Sequence, residues 1–252
     1  MNRNYTLGLV SVSFRDRAPK EILDAMKKAG LSHIEWGSDV HAPCTDTKCL
    51  RELATLQEEY GICCSSYGTY FKFGKTPMAE LADYIAAAKI LGAPILRLWC
   101  GRRSGADMTE EERAELLADC KEAASLAEKE GVILCMECHQ KTLTERMEDT
   151  LWLMEQVASP AFRMYWQPFQ HKSIEENLAY AEAIAPYTYH LHVFQWKGSD
   201  KLPLREGIGE WQGYLKKFTT PRTLLLEFMP DGRIETLSEE ADSLRTIVGG
   251  MS

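Results

Sequence analysis

The sequence predicts an α/β protein, a single (β/α)8 TIM barrel spanning residues 1–252. Three observations predict it. A helical pattern closed by glycine and followed by a short apolar run recurs about every thirty residues, the length of a strand–helix unit. The apolar runs are nearly unbroken, as in "VILCM" and "TLLLEF". Strands of that kind are covered on both faces, as in a parallel sheet under helices. Eight such units fit within 252 residues, the size of a closed barrel. An open doubly wound sheet is the competing arrangement. However, no GxGxxG follows the first strand and no Walker A motif occurs.

The first strand is expected over 5–13. "AMKKAG" closes a helix at Gly30, and "LSHIEWG" then supplies a strand over 32–37. "LQEEYG" closes at Gly61 before a strand over 61–67. "AKILGA" turns at Gly92 before 94–100, and "LAEKEG" closes at Gly131 before 132–138. Glycine just past a helix enters the left-handed region cheaply. The second half is less punctuated. Its strands are expected over 162–167, 188–194 and 222–228, with a helix closing the chain. Thr109-x-x-Glu112, Thr142-x-x-Glu145, Ser173-x-x-Glu176 and Thr236-x-x-Glu239 fit the capping box at helix starts. Met78, Leu81, Ile85 and Ala88 form one face of the third helix.

Composition narrows the function. Hydrophobic residues make up 45% and charged residues 26%, as in an ordinary globular protein. The net charge of -8 speaks against a partner with a phosphate backbone, because such binding rests on clustered Lys and Arg. No apolar stretch is long enough for a membrane span. The N-terminal run is too short and too alternating for a signal peptide. A cytoplasmic location is therefore expected, with the eight cysteines as free thiols.

Active sites of barrels form at the C-terminal ends of the strands. The second strand ends "IEWGSDVHAP", offering Glu35, Trp36, Asp39 and His41. The fourth ends "RLWCGRRSG", offering Arg97 and Trp99. The fifth ends "CMECHQK", the sixth "YWQPFQH" with Gln167, Gln170 and His171, the seventh "HLHVFQW" with His190 and His192, and the eighth "LLLEFMP" with Glu227. This rim suggests a ligand pocket with aromatic walls, among them Trp36, Trp99 and Trp196.

"CMECH" also matches a haem attachment pattern. Strand alternation opposes that reading. Cys135, Glu137 and His139 share one face, so Cys135 and Cys138 point opposite ways. His190 and His192 share a face, as do Leu225 and Glu227. A glutamate at the end of a buried apolar strand is costly unless paired or metal-bound. Four consecutive strands thus offer Glu137, Gln167, His192 and Glu227. Two carboxylates, an amide oxygen and an imidazole suit a divalent ion such as Mn²⁺, Mg²⁺ or Co²⁺, with Zn²⁺ left open. The two glutamates approach from nearly opposite sides. That arrangement suits proton removal beside a carbonyl, with return on the other face through an enediolate.

The segments "IEWGSDVH", "RLWCG", "MECHQKTLT", "YWQP", "HLHVFQW" and "LLLEF" resemble the xylose isomerase-like TIM barrels, in particular the sugar phosphate isomerase/epimerase group. The resemblance covers strands two to eight. In ketose 3-epimerases of this group it implies metal ligands Glu, Asp, His and Glu. Glu137, His192 and Glu227 fall on three of these positions, and Gln167 replaces the Asp. The resemblance places both glutamates as acid and base. Gln170 stands where those epimerases carry a substrate-binding His, and Arg205 is a loose match for a substrate-binding Arg. Further substrate contacts are assigned to His190, Trp99, Glu35 and His41. His190 also reads as a core histidine under the metal layer, and Glu35 as a partner of Arg97. "GRRSG" reads either as a phosphate-binding loop or as a surface loop.

The function expected is a metal-dependent isomerase or epimerase of a small sugar, sugar phosphate or related hydroxyketone. The alternative is a dehydratase of a cyclic hydroxyketone such as an inosose or 3-dehydroshikimate. An abasic-site endonuclease is disfavoured by the net charge. The oligomeric state is left open, with a homo-oligomer among the options.

Overall fold

The computed structural model describes residues 5–220 and 222–250. Residues 1–4, 221, 251 and 252 of the expected span lie outside the described residues. The strands are β1 (Thr6–Val10), β2 (His33–Gly37), β3 (Cys63–Phe73), β4 (Ile95–Cys100), β5 (Ile133–Glu137), β6 (Phe162–Trp166), β7 (Thr188–Val193), β8 (Gln195–Lys197), β9 (Asp200–Leu202) and β10 (Thr223–Leu226). Eight of them close into a parallel barrel in the order β1-β10-β7-β6-β5-β4-β3-β2. These are the eight expected strands. β8 and β9 form an antiparallel hairpin that the apolar pattern did not reveal, because a short exposed hairpin buries no continuous face.

Helices alternate with the strands: α1 (Pro19–Ala29), α2 (Thr47–Glu59), α3 (Leu81–Leu91), α4 (Glu110–Glu130), α5 (Met147–Val157), α6 (Ile174–Ile184), α7 (Ile208–Lys217) and α8 (Leu237–Gly249). Gly30, Gly92 and Gly131 cap α1, α3 and α4 with φ of 67°, 69° and 71°. Thr109 and Ser173 form the expected capping boxes. The other two do not form. The Thr142 hydroxyl donates to the His139 carbonyl and that of Thr236 to Asp231, so loop contacts take the groups that would have capped.

Two strand ends differ from expectation in ways that matter for the site. β1 stops at Val10 because Ser11–Phe14 winds into a 3-10 turn, which carries Arg15 up to the barrel mouth. β3 runs on to Phe73 and brings Tyr70 there too. One apolar layer fills the space between strands and helices and includes Trp36, Phe73, Cys138, Phe162 and Trp166. A smaller one lies inside the barrel: Val10, Val12, Ile95, Cys135, Tyr165 and Leu225. Cys135 and Cys138 thus sit on opposite sides of β5, as strand parity requires. No helix among the described residues is long and apolar enough to cross a membrane.

Candidate active site

Strand alternation turns polar side chains of several strands toward the barrel axis. On β2 it sends Glu35 inward and Trp36 outward. Trp36 is therefore not pocket wall; it is fully buried and its Nε1 donates to Gln57 (2.8 Å). On β4 the inward residue is Arg97, on β5 Glu137 and on β7 His192. Glu227 follows β10, and its N–H still donates to the Val193 carbonyl (3.0 Å), so the alternation carries past the strand end. The next residue, Phe228, has a φ of 57°, which is rare for an aromatic residue. Its N–H is held by Ser13 Oγ (2.9 Å).

His192 is the centre of the arrangement. Its Nδ1 lies 3.4 Å from Glu137 Oε1 and 3.5 Å from Glu227 Oε2. Gln167 Oε1 is 3.3 Å away, while the Gln167 amide donates to the Cys138 carbonyl (3.1 Å). On the other side, His192 Nε2 faces Glu35 Oε1 at 3.5 Å. Glu137, His192 and Glu227 place one donor atom each within 4.8 Å of one another.

The fit to a divalent cation rests on two physical points. These separations are long for hydrogen bonds. They match neighbouring ligands on an ion with bonds of ~2.1 Å, which stand roughly 3.0–3.4 Å apart. In addition, among the described residues three buried carboxylates, Glu35, Glu137 and Glu227, share one buried permanent cation, Arg97. The unbalanced double negative charge is what a divalent ion would neutralise. Without one, a proton takes that place. Burial lowers the basicity of His192, but the charges of Glu227 and Glu35 and bonding to Glu137 and Glu35 outweigh it and raise the imidazole to about 10. Metal and proton compete for the same nitrogen.

The two glutamates differ. Burial opposes the charge of Glu137, but the Arg97 charge and His192 overcome it and hold its carboxyl low, at about 2. Arg97 Nη1 bonds its Oε2 (2.6 Å), and Trp99 Nε1 bonds the same oxygen (2.5 Å). Glu227 has no such grip. Burial pushes it up to about 7; His192 pulls it down and the Glu137 charge pushes it further up.

The pocket above these groups encloses about 390 Å³ and is lined by Arg15, Tyr70, Trp99, Gln167, Gln170 and Trp196 among others. Trp99, Gln167 and Gln170, three of the expected site residues, line this pocket. Four other expected contacts are elsewhere. Glu35 is fully buried beneath the pocket, bonded to Arg97 Nε (2.9 Å) and Ser66 Oγ (2.8 Å). It supports the site from below and does not line it. His41 is held by Ser11 Oγ and the Arg17 carbonyl and packs on Trp36. Arg205 is an exposed residue paired with Glu239. His190 points to the opposite end of the barrel, where its Nε2 bonds the Ser65 carbonyl (3.2 Å). The "GRRSG" loop borders a separate acidic hollow with Glu112, Glu115 and Asp119, which disfavours phosphate there. Arg15 and Tyr70 line the pocket without having been expected there; the Ser11–Phe14 turn and the length of β3, which only the fold shows, bring them to it.

The sequence signature of the xylose isomerase-like TIM barrel matches residues 23–247, and the chain belongs to that family. Solved structures share its fold. The probable 3-DHS dehydratase AsbF of Bacillus anthracis superposes with a TM-score of 0.81 at 17% identity, covering 96% of this chain and 99% of that one. D-allulose 3-epimerase from Methylomonas sp. gives 0.72 at 14% identity, over 96% and 97%. A xylose isomerase-like TIM barrel protein from Mycobacterium smegmatis, in complex with magnesium, gives 0.70 at 13% identity, over 99% and 98%. At these identities the likeness is one of fold. Among curated proteins the chain matches phosphoribosylaminoimidazole-succinocarboxamide synthase of Neisseria meningitidis at 36% identity over 73 residues. That match spans 29% of this chain and 25% of the synthase.

Proposed function

We propose that the protein is a cytoplasmic, single-domain isomerase or epimerase of a small sugar, sugar phosphate or related hydroxyketone, dependent on a divalent metal. One observation carries this reading: Glu137 and Glu227 bracket His192 Nδ1 at 3.4 and 3.5 Å beneath a pocket of about 390 Å³. Glu137, Gln167, His192 and Glu227 would hold the cation. When bound, it supplies polarisation of the substrate carbonyl and offsets the charge that builds on the enediolate oxygen. The remaining work falls to the side chains. One glutamate removes the proton from the carbon beside the carbonyl, and the other returns a proton to the opposite face. Arg97 and Trp99 fix the orientation of Glu137. Trp99, Trp196 and Gln170 shape the space and exclude water.

The second reading is a dehydratase of a cyclic hydroxyketone, in which the same proton is removed and water leaves. It is supported by the higher TM-score to the probable dehydratase, 0.81 against 0.72 for the epimerase. Incubation of the metal-loaded protein with ketoses, inososes and their phosphates in D2O tests both. An isomer carrying one deuterium supports the first reading, and a product lighter by water supports the second. No exchange and no turnover across the set would sink both.

A further inference from the structure

The barrel has a second polar opening, at the N-terminal ends of its strands, opposite the candidate active site. It is a hollow of about 490 Å³. Arg163, Arg222, His190, Thr6, Thr188 and Thr223 lie in its wall, and no described acidic residue lines it. That is unusual in a chain of net charge -8.

Arg163 is the informative residue. It sits on β6 in register with Cys135 of β5, and Cys135 belongs to the cluster inside the barrel. Arg163 therefore points inward, where its charge reaches the Cys135 thiol. Its guanidinium makes no hydrogen bond or ion pair with any described residue. The inner end of the hollow is closed by His190, 7% exposed. The Nε2 of His190 is occupied by the Ser65 carbonyl, and its Nδ1 is buried without a partner. Arg222 stands at the other side, bonded to the Ala185 carbonyl (3.1 Å) and to the Thr220 hydroxyl.

Arg163 is half-buried, and a cation held partly out of water without a counter-charge is a ready partner for an anion. Guanidinium groups match oxyanions in pairs of parallel N–H donors, and threonine hydroxyls add rotatable donors. We infer that this hollow is a binding site for a small multiply charged oxyanion, phosphate or the phosphate group of a phosphorylated metabolite, with Arg163 and Arg222 as its anchors.

The test uses the full-length protein in chloride buffer. Inorganic phosphate is titrated against sodium chloride of equal ionic strength while binding heat and the melting temperature are followed. The site predicts saturable binding and a rise in melting temperature that chloride does not reproduce. Arg163→Met should weaken phosphate binding roughly tenfold or more while melting no lower than the parent in chloride. Arg222→Gln, a second route if the first variant folds poorly, should weaken it as well. Glu227→Gln, in the mouth, should leave phosphate binding unchanged. Glycerol phosphate in parallel separates the sources: tighter binding than inorganic phosphate points to an ester, and weaker binding to the free ion. The inference is overturned if phosphate acts only as ionic strength does, or if both arginine variants respond as the parent does.

Discussion

The two carboxylates that face each other across the mouth stand in opposite surroundings. Glu137 belongs to a packed wall. Arg97 bridges it to Glu35 at 2.6 and 2.9 Å, and Trp99 bonds the oxygen that Arg97 also holds. Glu227 belongs to an open wall, where its ion-pair partner among the described residues is His192 at 3.5 Å and Phe228 behind it is turned into the left-handed region. One carboxyl is locked in its charged form, and the other is held near neutrality in pH. Groups pushed apart in this way take different roles in proton transfer. Under the proposed function, Glu137 on the packed wall would be the fixed, charged base and Glu227 on the open wall its titratable partner.

Turnover is the coarsest way to break this comparison. Glu137→Gln and Glu227→Gln should each lower kcat by about 10²- to 10⁴-fold while the far-ultraviolet circular dichroism stays that of a folded barrel. Full activity in both variants would remove the proton-transfer roles of either wall.

Stability separates the walls more sharply. Arg97 neutralises two carboxylates that are otherwise buried. Arg97→Met should therefore cost about 3–5 kcal/mol in urea unfolding. Added Mn²⁺ should recover part of it, because the site then regains a counter-charge. An unchanged midpoint would mean that the packed wall is not held by charge.

Glu227→Gln should act in the opposite direction. A carboxyl raised from 4.5 to about 7 contributes stability that is fully present below its unfolded value and lost as pH rises through about 7. Glu137, lowered to about 2, contributes stability present above its unfolded value and lost as pH falls toward 2. Above pH 7, the chelator-treated Glu227→Gln variant should thus be more stable than the parent by up to about 3 kcal/mol. The gain should vanish near pH 4. Gain of stability with loss of turnover marks a group kept for chemistry.

The packed wall was only half legible in the sequence, and the reason is physical. Strands and their glycine stops depend on local patterns, so all eight barrel strands could be read. Glu137, His192 and Glu227 followed because alternation along one strand is also local. Whether Glu35 would meet substrate or Arg97 depends on depth along the barrel axis, set by the register between β2, β3 and β4. A single strand does not carry that information. His190 and His192 show the same limit: two residues along β7, they open to opposite ends of the barrel. Arg15 and Tyr70 reach the mouth only because β1 turns early and β3 runs late. Arg205 was drawn to the site by its position after the seventh strand, but the β8–β9 hairpin intervenes and carries the chain away.

The register also leaves a trace in one glycine, and it supplies the finest test. Gly68 on β3 lies against the Glu35–Arg97 pair. A Cβ there would stand 2.5 Å from Glu35 Oε1 and 2.9 Å from Arg97 Nη2. Neither atom can swing aside freely, since Glu35 is also held by Ser66 and Arg97 by Glu137. Gly68→Ala should cost about 2 kcal/mol through overpacking. The same change should move kcat more than KM, because Arg97 holds the Glu137 carboxylate in place. The cost should shrink when Glu35 is shortened as well, as Gly68→Ala with Glu35→Asp, since contacting residues couple. A double variant as destabilised as the sum of its parts would mean that Gly68 answers to the backbone alone, and that the packed wall does not begin at β3.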